Sequence, residues 1–69
     1  MRPEDIQELL DRRPFVPFRI FLTSGDRFDI TERHSVAVGR GNIFIVLPDD
    51  RWKWVPYRQI ASVETLQAA

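Results

Sequence analysis

The residues of this chain with the most distinctive chemistry are two tryptophans separated by a lysine, Trp52-Lys53-Trp54. In a β-strand successive side chains point to opposite faces, so the two indoles share one face and Lys53 lies on the other. If the indoles face inward, Val55 and Lys53 face outward, which is acceptable for an edge strand. If they face outward beside Arg51, they form a platform that stacks bases or anchors a partner. Since a chain of 69 residues has little core volume for two indoles and five phenylalanines, we expect at least one tryptophan to be exposed or interfacial.

The basic residues are nine arginines and one lysine, and ten acidic residues bring the net charge to zero. Arginine suits phosphate, carboxylate and interface pairing better than lysine does. The arginines at strand and turn positions are therefore candidates for partner contacts: Arg19, Arg27, Arg40, Arg51 and Arg58. The alternative is that they form solvated ion pairs with nearby carboxylates, which the zero net charge favours.

No combination of residues is typical of catalysis or of metal binding. His34 is the only histidine and there is no cysteine, so a metal site would need His34 and carboxylates, of which only Glu32 is near in sequence. Asp49 and Asp50 are adjacent and follow Pro48, which predicts a turn and not a catalytic carboxylate pair. We therefore expect no metal, no cofactor and no enzymatic activity.

Length and composition indicate one small globular domain over residues 1–69. Hydrophobic residues make up 43% of the chain and charged residues 29%, which is typical of folded proteins and not of disordered ones. The longest apolar run, residues 43–47, is far shorter than a membrane span, and the polar residues 1–5 do not resemble a signal peptide. The sequence thus predicts a cytoplasmic protein that does not cross a membrane.

The N-terminal segment predicts a helix over about residues 3–12. Pro3 suits the first helical position, and Ile6, Leu9 and Leu10 form an apolar stripe at helical spacing. Pro14 disfavours helical geometry before it and ends the helix. A helix of this length is not stable alone in water, so we expect it to pack against the rest of the chain.

Short strands separated by turns follow, and together they predict a small, mostly β barrel of five or six strands over about residues 15–66, with the helix covering one end. A 3₁₀ turn before the last strand is similar to that of SH3/Sm-like barrels, and this resemblance implies an SH3/Sm-like barrel. We expect Gly25 to adopt a positive φ in the first hairpin turn, residues 56–59 to form a 3₁₀ turn and residues 67–69 to fray. The predicted core consists of the helix stripe and the inward strand positions: Ile6, Leu9, Leu10, Phe18, Ile20, Leu22, Phe28, Ile30, Val36, Val38, Ile43, Ile45, Ile60 and Val63.

Phe21 falls on the strand face opposite Phe18, Ile20 and Leu22. An outward phenylalanine needs a cover, which we expect to be either the N-terminal helix or another subunit.

The segment Pro14-Phe15-Val16-Pro17-Phe18-Arg19-Ile20, the turn Ser24-Gly25-Asp26 and the ending Ile60-Ala61-Ser62-Val63-Glu64 resemble a family of small uncharacterised bacterial proteins. The resemblance covers nearly the whole chain. Its motifs are turn and core positions, so it implies a fold and no activity.

A weaker resemblance, to bacterial Sm-like RNA chaperones, is carried by Ile20-Phe21-Leu22, Gly25 and Val55-Pro56-Tyr57-Arg58-Gln59-Ile60. In that family the turn before the last strand carries a Tyr-Lys-His signature that contacts RNA around the pore of a ring. The resemblance implies that Tyr57 and Arg58 contact RNA, while Gln59 stands where the family has histidine.

Two hypotheses of function remain. The first is a non-catalytic interaction module that self-associates or binds a protein partner, because the large apolar side chains Phe21, Phe44, Trp52 and Trp54 exceed what one small domain can bury. The second is a single-stranded RNA-binding protein of the Sm-like type. The candidate binding residues are Trp52, Trp54, Phe21, Tyr57, Arg58 and Arg51.

Overall fold

The computed structural model describes residues 1–66, so the expected fraying of residues 67–69 lies outside the described residues. These residues form one α-helix, six β-strands in two antiparallel sheets and two 3₁₀ turns. The bounds are α1 Pro3–Asp11, β1 Phe18–Leu22, β2 Arg27–Ile30, β3 Val36–Val38, β4 Asn42–Val46, β5 Trp52–Pro56 and β6 Ile60–Thr65, with 3₁₀ turns at Arg33–Ser35 and Tyr57–Gln59. The prediction of a mostly β chain behind one helix is confirmed.

Helix α1 begins at Pro3, as its sequence predicts. The carboxylate of Asp5 accepts a hydrogen bond from the backbone N–H of Arg2 at 3.2 Å and, with Glu4, places negative charge at the positive end of the helix dipole. Ile6 and Leu10 are buried and attach the helix to the sheets. In the described part of the chain no helix is long and apolar enough to cross a membrane.

The first sheet has the strand order β2-β1-β6. Gly25 adopts a φ of +96° in the turn between β1 and β2, a conformation that favours glycine, and the N–H of Leu22 closes this turn by donating to the carbonyl of Asp26 at 2.8 Å. Phe18, Ile20 and Leu22 are buried, while Arg19 and Phe21 lie on the other face. The alternation in the sequence therefore predicts this strand correctly.

The second sheet has the order β3-β4-β5. The turn between β4 and β5 is closed by the N–H of Leu47, which donates to the carbonyl of Arg51 at 2.6 Å. Asp50 lies in this turn with a φ of +66°, a region that aspartate tolerates better than most residues. The turn predicted at residues 48–51 is confirmed, and its length determines which residues of β4 and β5 face each other.

The inner faces of both sheets and one side of α1 share a single hydrophobic core. Two buried residues, Val55 and Tyr57, are absent from the predicted core. Four predicted core residues, Leu9, Phe28, Val38 and Val63, are only partly buried. Val55 is buried because it follows Trp54, which faces outward, and therefore points to the inner side of β5. Tyr57 is buried because its turn folds over the end of the second sheet.

The prediction of a barrel is wrong in one respect, because the sheets do not close. Within residues 1–66, strand β2 pairs only with β1, and the 3₁₀ turn at Arg33–Ser35 carries the chain to β3, which pairs only with β4. A closed barrel is the expected form because it leaves no unpaired strand edges, and such edges invite aggregation. These edges are instead short and carry charged residues or proline, as in Arg27 and Asp29 on β2 and Lys53 and Pro56 on β5.

Candidate interaction surface

The outer face of the second sheet is an exposed surface made of apolar side chains. We name it the tryptophan face and define it by five residues that lie on the same side of β3, β4 and β5: Ala37, Phe44, Val46, Trp52 and Trp54. Trp52 is 63% exposed, Trp54 is 61% exposed and Val46 is 51% exposed. The prediction that at least one tryptophan is exposed or interfacial is therefore confirmed for both.

The three aromatic rings of this face contact one another across the strands. Phe44 stacks on Trp54, with ring centroids 5.9 Å apart and planes 19° apart. Phe44 also meets Trp52 at 6.0 Å in a tilted arrangement. Aromatic pairs at such distances contribute about 0.5–1.5 kcal/mol each beyond their burial, so the rings hold one another in place while their outer surfaces stay in water.

The backbone of β5 explains why these rings are close. Along β4 and β5, hydrogen-bonded pairs of residues alternate with non-hydrogen-bonded pairs. The hydrogen-bonded pairs are 47 with 51 and 45 with 53. The non-hydrogen-bonded pairs are Val46 with Trp52 and Phe44 with Trp54. In antiparallel sheets the side chains of such non-hydrogen-bonded pairs lie closest together. The same geometry turns the N–H groups of Trp52 and Trp54 toward the open edge of the sheet, since β5 has no second partner strand among residues 1–66.

Lys53 lies on the opposite side of β5 from the indoles, as the alternation predicts. Its ammonium nitrogen is 5.8 Å from the centroid of the Phe28 ring on β2. A cation over an aromatic ring is stabilised by about 0.5–1 kcal/mol at an exposed site. This contact therefore joins the edges of the two sheets, and it keeps the only lysine of the chain away from the tryptophan face.

Phe21 does not belong to the tryptophan face. It is half-buried on the outer face of the first sheet, opposite Arg27 on β2 and Ser62 on β6. The two outer faces lie on opposite sides of the shared core, so the structure does not bring Phe21 together with Trp52 or Trp54.

Charged residues surround Phe21 on that outer face of the first sheet. Arg19 donates two hydrogen bonds to the carboxylate of Asp29, at 2.6 and 3.1 Å, and is paired across β1 and β6 with Glu64. The hydrogen bonds from Arg19 lower the pKa of Asp29, and the same bonds raise the pKa of Arg19. We name this surface the charged face and define it by Arg19, Phe21, Arg27, Asp29, Ser62 and Glu64.

Tyr57 is buried and points into the protein. Its hydroxyl donates a hydrogen bond of 2.7 Å to the carbonyl of Gly39, and its backbone N–H donates to the carbonyl of Gly41 at 3.2 Å. Burial raises the pKa of the Tyr57 hydroxyl above its ordinary value, and the nearby carboxylate of Glu4 adds to the shift. These contacts fix the 3₁₀ turn to the β3–β4 turn, whereas the next residue, Arg58, is exposed.

Arg51 precedes Trp52 and is exposed, but its guanidinium donates to the carboxylate of Asp49 at 2.5 Å. Of the five arginines singled out by the sequence, Arg19 and Arg51 are thus in ion pairs. Within residues 1–66, Arg27, Arg40 and Arg58 have no carboxylate within ion-pair distance. The interpretation as solvated ion pairs therefore applies to Arg19 and Arg51, and the other three remain candidates for partner contacts.

A metal site at His34 and two surface depressions are less well supported as functional sites. His34 is exposed in the first 3₁₀ turn, and the described part of the chain contains no group of three or more histidine, cysteine or acidic residues that could hold a metal ion. A depression of about 650 Å³ lies between the charged face and the β4–β5 turn, and another of about 730 Å³ follows the exposed side of α1. No buried, unpaired polar side chain lines either of them among residues 1–66.

Sequence reasoning found the tryptophans but did not place Val46 and Phe44 beside them as site residues. The length of the β4–β5 turn predicts that these two residues lie beside the tryptophans. A turn closed between Leu47 and Arg51 places Val46 opposite Trp52 and Phe44 opposite Trp54. The burial of Ile43 and Ile45 then requires Phe44 and Val46 to face outward.

Comparison with known proteins gives no relative from which a function could be transferred: no protein-family model, no curated protein and no solved structure matches this chain.

Proposed function

We propose that this chain is a non-catalytic interaction module that docks onto another protein surface, in a second copy of itself or in a different protein, through the tryptophan face. The observation that carries the proposal is the exposure of two neighbouring indoles, each about three-fifths open to water, beside Val46. Tryptophan is enriched among the residues that dominate binding energy at protein interfaces. Exposed single apolar residues are ordinary, but a contiguous patch of large ones is typical of an interaction site.

The rigidity of the patch supports the same proposal. Phe44 contacts both indoles, and the strands beneath them are paired along their whole length. A side chain that is already held in place loses little conformational entropy when a partner covers it. The tryptophan face is therefore suited to binding a partner.

We further propose that the fold belongs to the SH3/Sm-like class of small barrels, in an incompletely closed form. Two features support this assignment: the chain passes from one sheet to the other through a short turn after β2, and a 3₁₀ turn, Tyr57–Gln59, precedes the last strand. This part of the proposal rests on architecture and implies no partner.

Single-stranded RNA is the alternative occupant of the tryptophan face, because bases stack on exposed indoles. Two observations favour protein instead. The hydroxyl of Tyr57, which the Sm-like resemblance would place against RNA, is bonded to the carbonyl of Gly39 in the interior. No residue of the tryptophan face carries a positive charge, and the neighbouring Arg51 is already paired with Asp49.

The test is the size of the complex that contains this chain in a fresh extract of its source cells, measured by size exclusion with detection of a tag. We expect the wild-type chain to elute above the mass of a single chain. The double variant Trp52→Thr/Trp54→Thr is expected to elute as a single chain, since threonine keeps the β propensity of these positions and removes the indoles. The matched control, Phe21→Thr, removes an aromatic ring from the charged face and leaves the complex intact.

Three outcomes would overturn the proposal. The wild-type chain elutes as a single chain, the double tryptophan variant elutes with the wild type, or ribonuclease treatment of the extract releases the single chain. The last result supports RNA as the occupant of the face.

A further inference from the structure

We propose that the occupant of the tryptophan face is a second copy of this chain, packed face to face about a two-fold axis that passes near Phe44. This inference rests on the proposed function and names its partner. Three properties of the face carry it: its profile across the strands, its area and its lack of charge.

The profile of the face is asymmetric. Ala37, Phe44 and Trp54 form one row across β3, β4 and β5, so the side chains in this row increase in size from one edge of the sheet to the other. The β3 side is consequently a hollow at Ala37, and the β5 side is a ridge made of the two indoles.

A two-fold axis that lies in the interface, parallel to β4 and above Phe44, brings the β3 side of one copy against the β5 side of the other. Trp54 of each copy then lies over Ala37 of the opposite copy, because both residues belong to the row that contains Phe44. A surface with one ridge and one hollow of this kind is complementary to itself, which is the requirement for an isologous dimer. Sheets that pack face to face in this way are a common arrangement, with their strands within about 30° of each other.

The area is sufficient for a specific contact. An aromatic side chain offers up to about 250 Å², so two indoles that are 63% and 61% exposed leave on the order of 300 Å² uncovered. Adding Val46, Phe44 and Ala37 brings the face to roughly 500 Å², about a tenth of the 5014 Å² surface of the described chain. Two copies would bury roughly 1,000 Å² in total, which is the lower limit for a specific interface between proteins.

The absence of charge fits a second copy better than a charged partner. None of the five residues of the face is ionisable, so two copies bring no like charges together when they meet. Lys53, the charged residue of β5, points to the other side of the strand and toward Phe28. A basic or acidic partner would find no counter-charge on this face.

The test is sedimentation equilibrium of the purified full chain over a range of concentrations, together with its tryptophan emission. We expect a mass of two chains at high concentration. Because Trp52 and Trp54 are the only tryptophans, their emission should shift to the blue as the dimer forms. Ala37→Arg fills the hollow with a charged side chain at an exposed position, and we expect it to weaken the dimer at least about thirtyfold, the effect of losing a hot-spot contact.

The matched control is Ser62→Arg, which adds the same side chain at an exposed position of the charged face and is expected to leave the dimer unchanged. Circular dichroism of both variants establishes that they fold. If Ala37→Arg does not fold, Trp54→Thr replaces it, with the same expected loss of the dimer.

Several results would overturn the inference: a single-chain mass at every concentration, a dimer that persists in Ala37→Arg, or a dimer whose formation leaves the emission unchanged. A single-chain mass for the purified protein, combined with a larger complex in the cell extract, overturns the second copy as partner and leaves the proposed function standing. A single-chain mass in both experiments overturns both.

Discussion

The outer faces of the two sheets are built on similar scaffolds and differ in chemistry. Each lies on a three-stranded antiparallel sheet over the same core. The charged face places Arg19 between Asp29 and Glu64, whereas the tryptophan face has Phe44 between Ala37 and Trp54. Exposed ion pairs contribute little to stability but suit contact with water. The comparison teaches that strand alternation decides which residues face outward, while their chemical types decide whether water or a partner covers them.

The largest effect in this comparison should appear between neighbouring positions of β4. Ile45 faces the core and is 2% exposed, whereas Val46 lies on the tryptophan face. We expect Ile45→Ala to lower the free energy of unfolding by about 2–5 kcal/mol, because it removes core contacts and leaves a cavity. Val46→Ala should cost less than about 1 kcal/mol when the chain is a monomer. Urea unfolding at low protein concentration measures both, and equal losses would contradict the assignment of the two faces.

The second effect is on association. Trp54→Thr should raise the dissociation constant of the complex at least about thirtyfold, which corresponds to about 2 kcal/mol. Phe21→Thr should leave the dissociation constant unchanged, since Phe21 lies on the other side of the core. Titration calorimetry or sedimentation of the two variants provides the comparison. An equal weakening by both variants would mean that the two faces do not differ in function.

The third effect separates Tyr57 from both faces. Tyr57→Phe removes the hydrogen bond to the carbonyl of Gly39, and we expect the free energy of unfolding to fall by about 1 kcal/mol. The dissociation constant of the complex should not change, because the hydroxyl points into the protein. A variant with wild-type stability and weakened binding would instead assign Tyr57 to a binding surface.

The smallest effect concerns pH. The pKa of Asp29 is lowered in the folded chain by the hydrogen bonds from Arg19, so the folded state favours the ionised carboxylate. Its contribution to stability is therefore fully present above the pKa of aspartate in the unfolded chain, about 3.9. The contribution is lost as the pH falls through the lower pKa of the folded state.

NMR titration of the Asp29 carboxyl, in the wild type and in Arg19→Gln, measures this shift. The pKa should rise toward its ordinary value in Arg19→Gln, and a pKa that does not move would contradict the assigned cause.

Association should show little dependence on salt, because no residue of the tryptophan face is charged. A strong weakening by salt would indicate that charged groups outside this face dominate binding.

The sequence predicts most of the elements because their signals are local. Pro3 and Pro14 bound the helix region, Gly25 marks the first hairpin turn, and the alternation from Phe18 to Leu22 matches the burial of β1. Barrel closure could not be predicted in the same way, since it depends on whether strands of one sheet, such as β2, pair with strands of the other, such as β3. The burial of Tyr57 likewise depends on a hydrogen bond to Gly39, eighteen residues away.

The candidate site was predictable in part. Alternation places Trp52 and Trp54 on one face, but the choice between inside and outside depends on how much volume the rest of the chain fills. Phe18, Ile20 and Ile43 are among the completely buried side chains that occupy the core, while the indoles lie outside it. The addition of Phe44 and Val46 requires the pairing of β4 with β5, which only the turn length indicates.

The central claim, that the tryptophan face is the interaction surface, is tested most directly by photo-crosslinking. A photoreactive amino acid replaces Trp54 in one version of the full chain and Phe21 in another, and both are expressed and irradiated in the source cells. We expect a covalent protein adduct from position 54, with twice the mass of the chain if the partner is a second copy, and little or none from position 21. An adduct that forms equally from both positions, or from neither, would contradict it.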